Sequence, residues 1–545
     1  MRYLIITVFL LTNLYAMRQI NCSDHFIKNN QSGRPNLDFS MESPSGHFLI
    51  HYNNYYTNIE DYATQVGLAA DLSREFIIET LGFREEIPDD DGIYDIYIMQ
   101  LNNGEYGFNT PIENEDGIYP YDGSSWIKID DDFIGTYYIT TGLDAMRITV
   151  AHEFFHATQR AYAPNSGSNS FFWELSSIWV EDLIYPSIND YIEFSQVGDD
   201  YFQDPEKNMD LYNGYGLGLY GHYMSFIFDE NIMRYIWEDV SNLKSVCSTY
   251  DNAGPCIVDD NCRWINNNEE PDQEICVLDE YNDDLFFDAI NSVLSAPEYN
   301  SSFIDTWLDF NLRNLFNGYF SDMYNDIYYY EDQKQFNPIN TNPTNISPPD
   351  TTVFDLSLGN RAVSIQSFSS DKQYPYQFEI ESDVFVDAKG KLSIFSNSDY
   401  TIENLDNNTY VSDVIEDEHT FHLMYINNQS IEFENIIYSY VDSTNIIDYL
   451  NSSENIIVYP NPLEQSYEAS IRLNNGVEIN KLSIKLYSID GRFIKDLNLE
   501  QIHYTLDDFN DFSVSLFNAN ISSGVYILSF NMDGRIQNKK IVYLK

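Results

Sequence analysis

The sequence predicts a multidomain protein in which an α+β domain over residues 17–338 is followed by two β-sandwich domains. Three observations carry that expectation. At 545 residues the chain is too long for one domain. Up to about residue 317, segments with apolar residues at helical spacing alternate with short strand-like runs, whereas beyond residue 351 only short alternating runs remain. Between the two regimes, residues 339–350 (INTNPTNISPPD) hold three prolines and little apolar content, and read as a linker. A hydrophobic content of 43% with 16% aromatics supplies packed cores for domains of this size.

Residues 1–16, MRYLIITVFLLTNLYA, place Arg2 before a short apolar run that ends in Ala16, the pattern of a secretory signal peptide. Cys22 raises lipidation as an alternative, but Gln19-Ile20-Asn21 match the small, apolar residues expected before a lipidated cysteine poorly. No later run approaches eighteen apolar residues, so no transmembrane segment is expected. The balance of 86 acidic against 28 basic residues gives a net charge of −58. Such a surface repels nucleic-acid phosphates and anionic lipid, which excludes both as partners. Two acidic runs, Asp89-Asp90-Asp91 and Asp130-Asp131-Asp132, are candidate Ca²⁺ loops, although neither follows an EF-hand pattern.

Along the first domain, residues 46–52, Ile93–Ile98 and 124–129 read as strands. Residues 57–82 read as a long amphipathic helix through Ile59, Ala63, Val66, Ala69, Leu72 and Phe76. Thr141-x-x-Asp144 has the form of a capping box and predicts a helix from about Gly142 to Tyr162. Pro164 and the polar run 165–170 end it, and a second helix from Phe171 stops before Pro186. Further helices are expected over 217–229 and over 280–317, the latter interrupted near Pro297. In an exported chain, the clustered Cys247, Cys256, Cys262 and Cys276 read as two disulfides in a stapled insertion over 247–276, with three pairings open. Residues 351–445, with runs such as Phe378-Glu379-Ile380 and Thr420–Met424, have a β-sandwich pattern and no catalytic constellation. A last β-rich unit spans 451–545.

The chemistry concentrates in residues 143–185. His152-Glu153-Phe154-Phe155-His156 is an H-E-x-x-H box. Residues four apart share one helix face, so both imidazoles can meet one metal ion, with Glu153 beside it as general base toward an attacking water. Zinc sites of this kind complete the set with a carboxylate. Glu174 on the next helical segment is the first choice for it, and Glu181, seven residues on and next to Asp182, the alternative. A metzincin set is absent, because Gln159 and Tyr162 stand where its glycine and third histidine belong. His222 and Tyr220 are candidates for stabilising a developing oxyanion. Tyr106-Gly107-Phe108 or residues 124–129 could bind an extended substrate at a sheet edge.

Two resemblances sharpen this reading. Taken with His152–His156, the segment Phe172-Trp173-Glu174-Leu175-Ser176-Ser177-Ile178-Trp179-Val180-Glu181-Asp182 resembles the gluzincin metallopeptidases. More narrowly, it is similar to secreted bacterial relatives whose third-ligand helix reads W-x-E-x-x-A-x-W-x-E-D. The likeness covers roughly residues 40–335. It implies zinc on His152, His156 and Glu174, Glu153 as base, and peptidase chemistry without a cleavage preference; endopeptidase action on extracellular proteins is the expectation built on it. Ser177 departs from the usual Ala. Ile178 stands four residues after Glu174, where thermolysin-type enzymes carry Asp, so a carboxylate supporting the ligands must come from elsewhere. At the other end, Val458-Tyr459-Pro460-Asn461-Pro462, Tyr487–Arg492, Ser523–Leu528 and Lys539–Val542 resemble the C-terminal sorting domain of the type IX secretion system of Bacteroidetes and related bacteria. That likeness implies a small β-sandwich read by the export machinery. The expectation is therefore a secreted zinc-dependent peptidase. The competing one is a cell-surface adhesin or binding protein with an inactive peptidase-like domain.

Overall fold

The computed structural model describes residues 34–339, apart from 55, 89–90, 103, 113–122, 196–200, 267–273 and 319–326, together with most strands and some connections between 341 and 544. The leader at 1–16, Cys22, Asp89, Asp90, much of the linker, and the turn residues Pro460–Pro462, Asp490, Gly491 and Ser523 lie outside the described residues.

The first region is built on a five-stranded sheet of β1 (Phe39–Glu42), β2 (Phe48–Tyr52), β3 (Tyr94–Met99), β4 (Gly107–Pro111) and β5 (Ser125–Asp130), in the order β1-β2-β3-β5-β4. The central strands β2, β3 and β5 run parallel, while β4 closes one edge antiparallel to β5. The long connection between the parallel β2 and β3 holds α1 (Ile59–Arg74), which continues as one π-helical stretch to Thr80. In β2 the alternation buries Phe48 and Ile50 completely, whereas β3 is buried on both faces, as a parallel central strand must be.

Helix α2 (Gly142–Arg160) is buried from Ala145 to Arg160 apart from Arg147, so it is a core element rather than a surface one. Its start departs from the sequence expectation. Thr141 has the extended backbone of a cap, but its side chain makes no capping hydrogen bond, and Asp144 pairs with Arg147 at 2.9 Å instead. The entry is fixed by Gly142 N–H donating to the Phe133 carbonyl at 3.2 Å. Helix α3 (Ser170–Ile184) packs against α2. The turn between them is pinned from outside: Asn169 Nδ2 donates to the carbonyls of Glu280 and Asn282 at 3.1 and 3.0 Å, and Ser168 N–H donates to Glu280 O at 3.0 Å.

Beyond α3 come α4 (Tyr191–Ser195), α5 (Gly218–Ile227) and α6 (Ile232–Cys247). The stapled insertion holds α7 (Ala253–Val258) and an antiparallel hairpin of β6 (Cys262–Asn266) and β7 (Glu274–Leu278). Its disulfides are Cys247–Cys262 and Cys256–Cys276. Helices α8 (Leu285–Leu294) and α9 (Phe303–Asn314) lie on either side of Pro297, and Ser302 caps α9 by accepting from Asp305 N–H at 3.4 Å.

From Thr344 to Ser439 the chain forms a five-stranded and a four-stranded sheet, and from Ile456 to Leu544 a four-stranded and a five-stranded one. Val363, Met424 and Ile426 join the hydrophobic core of the first region. Lys391 Nζ reaches Asp309 on α9 at 2.8 Å, and Lys389 pairs with Asp305. Burial would raise the Asp309 carboxyl, but Lys391 and Arg313 outweigh it and hold the group below its ordinary range.

Gly107 in β4 sets how closely α2 approaches the sheet, since a Cβ there would lie 2.7 Å from Thr149 Cγ2 and 3.1 Å from Glu153 Cγ. Gly107→Ala should therefore destabilise the fold by about 1–3 kcal/mol, read from the urea unfolding midpoint. His422, buried beside Ser367 with Oγ 2.7 Å from Nδ1, has its imidazole pushed down to about 3 by burial. Its folded value lies below the unfolded one, so the stability it contributes is complete above about pH 6.5 and is lost as pH falls toward 3. By pH 4.5 the loss should reach about 2–3 kcal/mol in denaturant titrations, and His422→Phe should flatten that pH dependence.

Candidate metal centre

Two helices make this site, and each contributes through its period. One turn apart on α2, His152 and His156 bring their Nε2 atoms to 3.1 Å from each other. From α3, Glu174 Oε2 reaches 3.0 Å from His152 Nε2 and 3.6 Å from His156 Nε2. The three atoms close a triangle, and their residues are a group able to hold a metal ion. Ligands 2.0–2.2 Å from a tetrahedral zinc lie roughly 3.3–3.6 Å apart, so the triangle fits such an ion with shifts of a few tenths of an ångström.

The electrostatics point the same way. His152, His156 and Glu174 are 2%, 3% and 4% exposed, and Glu153 is 1% exposed, so the cluster is shut off from bulk water. Burial disfavours a charged imidazole, yet Glu174 and Glu181 outweigh it and raise His152 well above its ordinary range. His156 is raised against burial mainly by Glu174. Burial would likewise raise Glu174, but the two imidazoles bring it down to about 2. The centre of the triangle thus favours positive charge, which a divalent cation supplies.

Outer partners aim both imidazoles. His152 Nδ1 faces Glu181 Oε2 at 3.5 Å, and His156 Nδ1 lies 2.7 Å from Gln159 Oε1 and 3.3 Å from Ser177 Oγ. Gln159 is itself held by donating Nε2 to the Trp173 carbonyl and the Ser176 hydroxyl at 2.9 and 3.0 Å. With Nδ1 engaged on both rings, both Nε2 atoms are left to face Glu174. Glu181 therefore sits on the far side of His152 from the triangle, as a support for the imidazole. Glu153 occupies the same turn of α2, its carbonyl accepting from Asn109 Nδ2 at 3.1 Å and its Cγ lying against β4 at Gly107. Asn109 is locked by the buried Arg160, whose Nε donates to Asn109 Oδ1 at 2.6 Å.

The remaining residues expected from sequence lie elsewhere. The Tyr220 hydroxyl bonds to Thr306 Oγ1 on α9 at 2.7 Å and its ring packs on Trp307, so it is directed into the helical core. His222 Nε2 lies 3.0 Å from Asp182 Oδ2 and its ring stacks on Tyr330 at 3.7 Å, in a polar cluster one residue along α3 from Glu181. Trp173 lies tilted against His156 with ring centres 6.0 Å apart, and Tyr215 stacks on His152 at 6.0 Å. Gly214 precedes it with φ of 95°, where a Cβ would lie 2.3 Å from the Phe171 carbonyl and 2.8 Å from Glu174 Cβ. Asp130–Asp132 also form a potential cation group. The Asp130 carboxylate, however, accepts the Leu101 and Phe133 amides at 3.0 and 2.8 Å, closing its own turn. Burial first, then Asp130 and Asp132, push the Asp131 carboxyl up to about 6.

Gln159→Leu keeps the side-chain volume while removing the acceptor at His156 Nδ1. Zinc affinity, measured by competition with a chelating dye, should fall about 10- to 100-fold.

No curated protein matches the chain. Among solved structures, it is similar over short stretches to the periplasmic inhibitor of g-type lysozyme, PliG, from Aeromonas hydrophila, at 7% identity. That match covers 18% of this chain and 95% of that one, with a TM-score of 0.15. The Salmonella Typhimurium PliG matches at 9% identity over 18% and 99% of the two chains, TM-score 0.14. The Yersinia pseudotuberculosis-derived mitogen matches at 8% over 17% and 90%, TM-score 0.14. Similarities of this size carry no functional argument. No helix among the described residues is long and apolar enough to cross a membrane. Residues 457–544 match the family of secretion system C-terminal sorting domains, and the antiparallel pair Gly524–Met532 and Arg535–Leu544 lies within the match. The C-terminal unit is a type IX secretion sorting domain, and the chain carrying it is a secreted or cell-surface protein that engages that machinery.

Proposed function

We propose that the chain is a zinc-dependent peptidase that hydrolyses peptide bonds of extracellular proteins. The observation that carries this reading is the buried triangle of His152 Nε2, His156 Nε2 and Glu174 Oε2, with Glu153 on the same helical turn. His152, His156 and Glu174 would hold the ion, and Glu181 and Gln159 would keep its two imidazoles in register. Bound there, zinc supplies a Lewis acid that polarises a carbonyl and makes water acidic enough to react near neutral pH.

The chain's own residues do the rest. Glu153, an acceptor in a water-excluded pocket, takes the proton of the attacking water and returns it to the leaving amine. Among the described residues strand β4 is an edge of the sheet, and an extended peptide can pair with such an edge. Export through the sorting domain supports extracellular protein as the substrate pool.

The purified protein should bind one zinc and cleave casein, lose cleavage on chelation and regain it with added zinc. Glu153→Gln should retain the zinc while casein hydrolysis falls by at least about 10²- to 10⁴-fold. Hydrolysis that survives this substitution overturns the mechanism. A protein with neither zinc nor turnover would instead be a binding module.

A further inference from the structure

The turn between the strands Thr351–Leu358 and Val363–Ser370 holds Arg361 at φ of 56°, in the left-handed region that favours glycine. A turn that needed only its shape would carry Gly or Asn there, so the side chain accounts for the residue. That side chain is 13% exposed and reaches out of the two-sheet region Thr344–Ser439 onto the first region.

Three elements of the first region meet around its guanidinium. At the start of α8 it pairs with Asp284 and lies over Phe287, 4.2 Å from the ring centre. Phe287 stacks on Phe171, which opens α3, with ring centres 5.4 Å apart. From the irregular segment Asp204–Tyr215, Asp210 faces the same charge. Asp210 Oδ1 is buried with no hydrogen-bond partner among the described residues. Burial pushes the Asp210 carboxyl up, and Arg361 is the strongest influence holding it down. A second contact joins the segment to the two-sheet region, where Glu206 accepts Ile365 N–H at 2.7 Å.

These contacts lead to the triangle. Gly214, four residues after Asp210, is wedged between the Phe171 carbonyl and Glu174 Cβ, and Tyr215 stacks on His152. Asn282, two residues before Asp284, accepts Asn169 Nδ2 at 3.0 Å and so pins the turn leading into α3. A shift of Asp210 or Phe287 is therefore transmitted to Glu174 and His152 through close-packed groups.

We propose that Arg361 is a positioning residue for the metal centre. It fixes the start of α3 and the segment carrying Gly214 and Tyr215, and through them the spacing of Glu174 and His152. The two-sheet region is then part of the unit that does the chemistry. This assignment rests on the zinc-peptidase reading.

The test compares Arg361→Gln with Lys391→Gln in the full-length protein. Lys391 ties the two-sheet region to Asp309 on α9, so its variant measures docking alone. In Arg361→Gln, zinc affinity measured by competition with a chelating dye should fall about 3- to 30-fold, and casein kcat should fall with KM little changed. Lys391→Gln should keep both near wild type even where its Tm falls as far. Arg361→Lys, which restores the charge beside Asp210, should recover part of the affinity. Hydrogen exchange of the 204–215 amides, followed by mass spectrometry, should quicken in Arg361→Gln and not in Lys391→Gln. Zinc affinity unmoved in Arg361→Gln, or equal losses in the two glutamine variants, overturns the positioning role and leaves the peptidase reading intact. Zinc binding that weakens in Arg361→Gln, in a protein that cleaves no peptide, overturns the peptidase reading and leaves the positioning role standing. A wild type that takes up no zinc overturns both.

Discussion

The constraint on which the molecule depends is the burial of two imidazoles and three carboxylates within a few ångströms of one another on α2 and α3. Each of His152, His156, Glu153, Glu174 and Glu181 is at most 5% exposed. Water screens none of their charges, and a lone buried ion of this kind costs several kcal/mol. Such a cluster persists only if every group has a geometrically defined partner, so tolerances in the surrounding fold are set by polar contacts more than by apolar packing. The nearly all-round burial of α2 follows, as does the close seat at Gly107, which a methyl group would already obstruct.

The supports form a shell with a clear division of labour. Gln159 and Glu181 orient rings, and each does so from the same helix face as a residue of the triangle. Gln159 follows His156 by three positions, and Glu181 follows Glu174 by seven. Asn109 and Arg160 instead tie α2 to the edge strand β4, which fixes the height of Glu153 above the sheet. Polar residues that look extravagant in a core are thus the means by which the helix pair keeps one spacing.

What could be read from the sequence was whatever obeys a short period. His152, Glu153, His156 and the helix carrying Glu174 follow from a 3.6-residue repeat, and the central strands from runs of β-branched and aromatic residues. The two disulfides follow from export and cysteine count, but their pairing depends on the β6–β7 hairpin register, which no local rule supplies. Strand β4, Gly-Phe-Asn-Thr-Pro, has weak strand propensity and exists because β5 offers it partners. Tyr220 and His222 illustrate a different limit. The azimuth of α5 is set by Gly218 and Gly221 lodging against Ile178 and Trp179, which turns Tyr220 toward α9 and His222 toward Asp182. Asp190 lies in the turn before α4 and Tyr215 opens a three-residue helical turn, segments too short to display any period. Helix α6 is a case where the signal is present, in Ile232, Ile236, Trp237 and Val240.

The stapled insertion has a bearing on how the site is held. Its hairpin leads directly into Glu280, whose carbonyl holds the turn between α2 and α3, and Arg263 on β6 approaches the Glu280 carboxylate at 3.7 Å. The bonds Cys247–Cys262 and Cys256–Cys276 anchor that hairpin, and such bonds form outside the reducing cytoplasm. Oxidation therefore adds a clamp on the angle at which Glu174 meets the two histidines. The turn that presents Glu174 is in this way coupled to four sulfur atoms that never touch the candidate site.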